Sequence, residues 1–293
     1  MKLFQSFVNE HQKSCLSSST FPVDASSNTE DNQREYELFK KIKATHPELK
    51  TEAWGLVSWK FEHKCQLPIT DFIQFAENKL QNGFDCAFIN PMIANEALYI
   101  NVWEQGLHSG HHGIDKISSF LQKKIGPFFD CYMDSNTFAL CNYFVGSPAF
   151  WEKYFAFTEK AISLLEAEAS AGSDVGQTYA GSSHYVRDDQ LSMKPFVIER
   201  LFSSFLSSRS VKSANYKYHL EHYQNKFGVR LGNFLYKHSE NKNSGIRNRN
   251  QQILEKYNEL RRTCYDQDFI KVTSALDDSL DIFLSKELRN MGF

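Results

Sequence analysis

The sequence predicts an α/β chain with a helical C-terminal extension, and three observations carry that reading. Short apolar or alternating runs, typical of strands, are interleaved with helix-periodic runs up to about residue 210. The 293 residues are 41% hydrophobic, 23% charged and 14% aromatic, which excludes disordered, fibrous and membrane-spanning classes. Beyond Ser210 the chain turns basic. Between Arg209 and Thr263, 12 Lys or Arg stand against 4 Asp or Glu, although the whole chain carries a net charge of −2. The expected division is an α/β domain over residues 1–210 and a basic helical extension over 211–293 packed on it.

Taken in order, Lys2 to Val8 is a first strand, and Ser17 to Asn32, rich in Ser, Asn, Asp and Thr, is a loop. Tyr36, Leu38, Phe39 and Ile42 make Glu30 to Ala44 a short amphipathic helix. Trp54 to Phe61 alternates as a strand does, with Val57, Trp59 and Phe61 on one face. The pleat then sets Ser58 and Lys60 together on the other. Asp71 is expected to cap a helix to about Leu80, with Gln74 completing a capping box. Phe84 to Ile89 is a buried strand leaving through Asn90-Pro91, while Ala97 to Trp103 fits a strand or a helix equally. Thr137 to Val145 is a strand stopped at Gly146-Ser-Pro148, and Phe150 to Ala167 is a helix with Trp151, Tyr154, Phe155, Ile162 and Leu165 on one face. Ala169 to Ser183 is small and polar, hence a loop. Pro195 opens a helix through Leu206. Asn241 to Asn250 is predicted as an exposed linker, and Phe269 to Leu288 as a closing amphipathic helix.

Six cysteines without a CxxC pair give no disulfide framework and no cysteine zinc site. The first residues become polar too early for a secretory core, so a cytoplasmic location is expected. No Walker loop, GxGxxG, GxSxG or HExxH is present. Instead, Asn101 to Gly113 gathers Glu104 with His108, His111 and His112 among glycines. Those histidines could ligate a metal or contact a substrate, and their glycine-rich setting suggests a loop. On the helix from Pro195, Glu199 and Arg200 fall at opposite edges of the apolar stripe Val197, Ile198, Leu201, Phe202 and Phe205. Charges at a core margin need partners, either structural or in a cleft. The basic extension suits phosphate-bearing partners such as anionic lipid or lipid-linked sugar, or else a solvated surface against its own acidic body. No nucleic-acid motif accompanies it, so nucleic acid is not expected as a partner.

Arg34-Glu35-Tyr36, Trp54 to Phe61, Asp85 to Pro91, Asn101 to Gly106, Cys141 to Val145, Phe150-Trp151 and Pro195 to Leu201 occur in that order. In this the chain resembles a group of bacterial surface-polysaccharide biosynthesis proteins with a GT-A-like, Rossmann-like fold that binds nucleotide sugars. The resemblance covers residues 1–210. It implies a glycosyltransferase moving a sugar from a nucleotide-linked donor to a glycan or lipid-linked acceptor of an O-antigen, capsule or lipooligosaccharide. The basic tail would then hold the enzyme peripherally at the inner leaflet of the membrane. GT-A enzymes usually place an Asp-x-Asp, holding Mg2+ or Mn2+, where this chain has Ser58-Trp59-Lys60. Metal dependence is therefore open; Asp130 and Asp188-Asp189 are the other carboxylates to consider. Under this reading Ser58, Lys60, Arg200 and Asn101 bind the donor, and Asn142, His108 and His111 bind the acceptor. Glu199 or Glu104 is the general base. Trp59, Trp103 and Tyr143 are either stacking platforms or core. Two other classes compete: a metal-dependent hydrolase or sugar-modifying enzyme built on His108, His111 and His112, and a non-catalytic scaffold of polysaccharide assembly.

Overall fold

The computed structural model describes residues 1–27, 35–183 and 192–266, with side chains as far as residue 261. Six strands form one mixed sheet: β1 (Lys2–Phe7), β2 (Phe21–Asp24), β3 (Trp54–Ser58), β4 (Cys86–Phe88), β5 (Phe144–Gly146) and β6 (Ser213–Asn215). Their spatial order is β2-β1-β3-β5-β4-β6. β1 is parallel to β2 and β3, β4 is parallel to β6, and β5 is antiparallel to both its neighbours. Five strands therefore point one way and their carboxyl ends share an edge with the amino end of β5. This α/β arrangement is compatible with a Rossmann-like fold.

Helices cover both faces. In chain order they are α1 (Glu10–Ser14), α2 (Glu35–Thr45), α3 (Phe61–Cys65), α4 (Ile69–Gln81), α5 (Ile93–Leu98), α6 (Val102–His108) and α7 (Ile114–Lys124). They continue with α8 (Pro148–Ser170), α9 (Asp174–Ala180), α10 (Lys194–Ser207), α11 (Leu220–Phe227), α12 (Val229–Arg247) and α13 (Gln251–Asp266). One core joins Trp54 and Leu56 of β3 to Phe39 of α2, Trp151 of α8 and Phe202 of α10. The other joins Val57 to Phe61 of α3 and Phe72 of α4. A strand covered on both sides reads as a continuous apolar run, as Trp54 to Val57 does. Trp54 and Trp151 stack at 3.8 Å, and the Trp151 indole donates to the Trp54 carbonyl at 2.9 Å. Gly55 is required by sheet geometry, because a Cβ there would meet the Phe144 carbonyl oxygen at 2.0 Å.

Several boundaries differ from the sequence reading. β3 stops at Ser58; Trp59 and Lys60 turn the chain into α3, so the expected strand to Phe61 is cut short. α4 begins at Ile69 behind Pro68, with Asp71 inside its first turn and not at its cap. Ala97 to Trp103 is the end of one helix and the start of the next. The histidine-bearing segment is helix α6 as far as His108, and His111 and His112 lie in the turn that follows, as its glycines suggested. β5 holds only the last residues of the predicted Thr137 to Val145 strand. The predicted loop at 169–183 contains α9, which opens on a Ser173 side chain accepting from the Gly176 N–H.

The predicted linker at 241–250 is mostly helix α12, running to Arg247. Its Lys242 is fully buried. The ammonium donates to the carbonyls of Glu96 and Tyr99 and pairs with the Glu96 carboxylate at 3.4 Å. Residues past 210 thus supply β6 to the sheet and pack α12 on α5. The helix expected over Phe269 to Leu288 lies outside the described residues, as do Arg34 and Asp188-Asp189. Among the described residues no helix is long and apolar enough to cross a membrane.

Candidate functional site

The strand order places a natural crevice at the carboxyl edge. From β1 the chain moves outward to β2 and returns across β1 to β3, and open α/β sheets bind ligands where the order reverses. A cleft of about 240 Å³ opens at this edge, against Ser58 at the end of β3. Its walls come from α3, from the turn before β5, and from α6 and α10.

On the α10 wall, Arg200 is only 2% exposed. Its Nε donates to the Val102 carbonyl at 2.8 Å. Its two terminal nitrogens donate to the Phe196 carbonyl at 2.8 Å and to Gln105 Oε1 at 2.6 Å. Every one of these acceptors is a neutral oxygen, and none of the ion pairs among the described residues includes Arg200. Burial lowers its pKa to about 10, so it remains a cation at neutral pH. A Cβ on residue 106 would sit 2.7 Å from Arg200 Nε, so Gly106 is what lets α6 and the guanidinium meet. A buried positive charge whose hydrogen bonds all go to dipoles is costly to keep, and the charge of the neighbouring Glu199 offsets only part of that cost. Its location beside a cleft gives it an outlet toward an anion.

Glu199 lies on the same wall, half-buried, with Oε1 accepting from the Cys141 backbone N–H at 2.8 Å. That bond braces an unusual turn. Cys141 and Asn142 are consecutive left-handed residues, at φ of 70° and 53°, and neither is glycine. Such residues cost about 1–3 kcal/mol each and gather at functional sites. Tyr143, next in line, is buried, and its hydroxyl meets Ser58 Oγ at 2.5 Å. From α3, Lys64 lines the cleft and donates to Cys141 Sγ at 3.5 Å. His111 closes another side, its ring 4.1 Å from that of Phe196. Burial, aided by the Arg200 charge, depresses its pKa to about 3, so it is neutral at physiological pH.

Of the residues expected from sequence, the structure brings Ser58, Glu199, Arg200 and His111 to one cleft. Lys60 is corrected: it is exposed at the start of α3, its ammonium 5.2 Å over the Trp59 ring, and it does not line the cleft. The pleat that would align it with Ser58 ends at Ser58 itself, two residues before Lys60. Asn101 caps α6 instead of meeting a donor, accepting from the N–H groups of Trp103 at 3.0 Å and Glu104 at 2.8 Å. Glu104 likewise faces away, its oxygens accepting from the Ile100 N–H at 2.8 Å and from Arg261 at 2.5 Å. It is a structural carboxylate, and of the two glutamates singled out in the sequence only Glu199 lines the cleft.

Asn142 adjoins the cleft through its neighbours, but its own side chain is not part of the lining; its buried Oδ1 has no hydrogen-bond partner among the described residues. His108 and His112 are exposed, and His108 lies against Tyr99 with rings 5.8 Å apart. The three histidines do not converge. Trp103 is core, its indole donating to Ser204 Oγ at 2.9 Å. Lys64, Gln105 and Cys141 were not singled out from sequence.

The resemblance raised Mg2+ or Mn2+, and the donor set does not fit either ion. Among the described residues no three of His, Cys, Asp or Glu are placed to hold a metal ion, and the cleft sets Lys64 and Arg200 beside its carboxylates Glu35 and Glu199. Comparison with protein-family models, with curated proteins and with solved structures returned no match to this chain.

Proposed function

We propose that this protein is a glycosyltransferase with a GT-A-like fold. It would transfer a sugar from a nucleotide-linked donor to a glycan acceptor of surface polysaccharide. The observation that carries the reading is Arg200, a buried guanidinium bound only to neutral oxygens at the wall of the carboxyl-edge cleft. A diphosphate would add negative charge directly to a guanidinium that has only the neighbouring Glu199 charge to offset it, and the arginine fork suits its oxygens.

In the reaction an acceptor hydroxyl oxygen bonds to the anomeric carbon as the bond from that carbon to the diphosphate breaks. Arg200 and Lys64 stabilise the leaving diphosphate, and Glu199 takes the hydroxyl proton. The Cys141 N–H fixes one Glu199 oxygen and so orients the other. His111, neutral, exchanges hydrogen bonds with sugar hydroxyls. The hydrolase alternative loses support because its histidines lie apart.

The test is a melting-temperature series with UDP, GDP, CMP and dTDP sugars, each with and without EDTA. A ligand that binds the native state raises the melting temperature. At least one family of nucleotide sugars should do so, equally with EDTA present. A flat response to all of them would overturn the proposal.

A further inference from the structure

On the far side of the sheet from the cleft's edge, at the amino end of β6, lies a second concavity of about 510 Å³. Three separate segments bring cations to it: Arg209 just after α10, Lys212 just before β6, and Arg247 and Arg249 around the end of α12. All four are exposed, and among the described residues none is in an ion pair. The one acid in the groove, Asp134, is committed to its own turn. Its carboxylate accepts from the Asn136 N–H at 3.0 Å, the Thr137 hydroxyl at 3.2 Å and the Asn136 amide at 3.3 Å. The groove therefore sets four cations against one carboxylate, a net positive charge, and none of the four cations is in an ion pair among the described residues.

Two of these arginines are held at a conformational cost. Arg209 and Arg249 have φ of 55° and 50°, each following the last turn of a helix. Glycine is the residue that this left-handed position favours. Cations do complement helix carboxyl ends, but Lys212 belongs to no helix and its side chain reaches over the Phe84 ring at 4.3 Å. Convergence of four charges from three segments is more than two helix ends require.

We infer that this groove binds a phosphate-bearing polyanion, and that the basic character of the C-terminal region serves this purpose. Arginine forks grip phosphate oxygens in pairs. The remaining lining includes Leu206, Val211 and Ile246 but no aromatic ring on which a nucleic-acid base could stack, which favours a phosphorylated headgroup over a single strand. The same chemistry is offered by a lipid headgroup or by a soluble polyphosphate. The inference does not depend on glycosyl transfer in the cleft.

The experiment compares the full chain with the Arg209→Gly/Arg249→Gly variant at low and high salt. One arm uses phosphatidylcholine vesicles with and without phosphatidylglycerol, and the other inositol hexakisphosphate. Glycine suits both backbone positions, so the variant should melt within ~3 °C of wild type. Its response to nucleotide sugars should be unchanged, which separates failure here from failure of the cleft reading. Wild type should bind one or both probes at low salt, weakening as salt screens the charges, and the variant about tenfold or more weakly. Binding to vesicles alone assigns a bilayer-presented headgroup; binding to the soluble probe as well assigns the phosphate group itself. Lys212→Gln, which leaves both helix ends intact, should weaken binding in the same direction. Absence of binding to either probe, undiminished binding by both variants, or binding of single-stranded RNA alone would overturn the inference.

Discussion

The carboxylate of Glu199 accepts a 2.8 Å hydrogen bond from the backbone N–H of Cys141, tying helix α10 to the left-handed turn that precedes β5. The bond links two segments 58 residues apart and holds the cleft's least relaxed backbone in place. Glu199→Ala removes the acceptor and leaves a half-buried N–H unmet, so it should lower stability by about 1–3 kcal/mol. Glu199→Gln keeps a carbonyl that can accept the same bond and should cost less than half as much. Urea unfolding of the two variants checks this; equal losses would mean that the bond does not brace the turn.

Glu104 binds Arg261 of α13 on one oxygen and the Ile100 N–H on the other. Arg261 is therefore an anchor for α13 and not part of a free basic face; the side chain of Arg262 lies outside the described residues. Glu104→Ala should destabilise the protein by about 1–3 kcal/mol, since both donors lose their acceptor. Ligand-induced melting shifts should persist in that variant. Loss of the shifts with an intact fold would move the site to Glu104.

His238 is buried, its ring 4.5 Å from that of Tyr257 and 5.5 Å from that of Phe234. Burial, with the charges of Lys242 and Arg261 nearby, lowers its pKa from 6.5 to about 4. Its contribution to stability is therefore full above the unfolded-state value. As pH falls from about 6.5 toward 4, the unfolded chain takes up a proton that the folded chain refuses, costing up to roughly 1.4 kcal/mol per pH unit. His238→Phe keeps the ring and removes the proton site. Relative to wild type, the variant's melting temperature should improve steadily as pH drops through this window. Parallel curves would show that His238 does not carry the acid sensitivity.

Much of the sheet was legible because its central strands are apolar on both faces and its long helices keep their period. β1, β3 and β4 were placed near their true positions, and so were α8 and α10. The edge strands were not. β2 is exposed and contains Pro22, and β6 is only Ser-Ala-Asn, so neither bears the branched or aromatic signature of a strand. The polar end of α12 misled for another reason: Lys242 and Asn243 are buried through partners on Glu96 and Ser135, more than a hundred residues away. At the cleft, one helical period set the positions of both Glu199 and Arg200, and the structure finds both on its α10 wall. Lys60 lies away from the cleft because β3 ends at Ser58, two residues short of it, and the alternation of a strand no longer sets its direction. Asn101 and Glu104 carried the Asn-x-x-Glu pattern of a helix start, and the structure uses them so.

The most direct test of the account is release of nucleoside diphosphate from the nucleotide sugar that most raises the melting temperature, in the presence of a glycan acceptor fraction. Wild type and Glu199→Gln are compared, after both are found to melt alike. The account predicts release by wild type and a loss of ~10²-fold or more in the variant, because the amide holds the turn but cannot take the proton. No release by wild type with any donor, or near-normal release by Glu199→Gln, would contradict it.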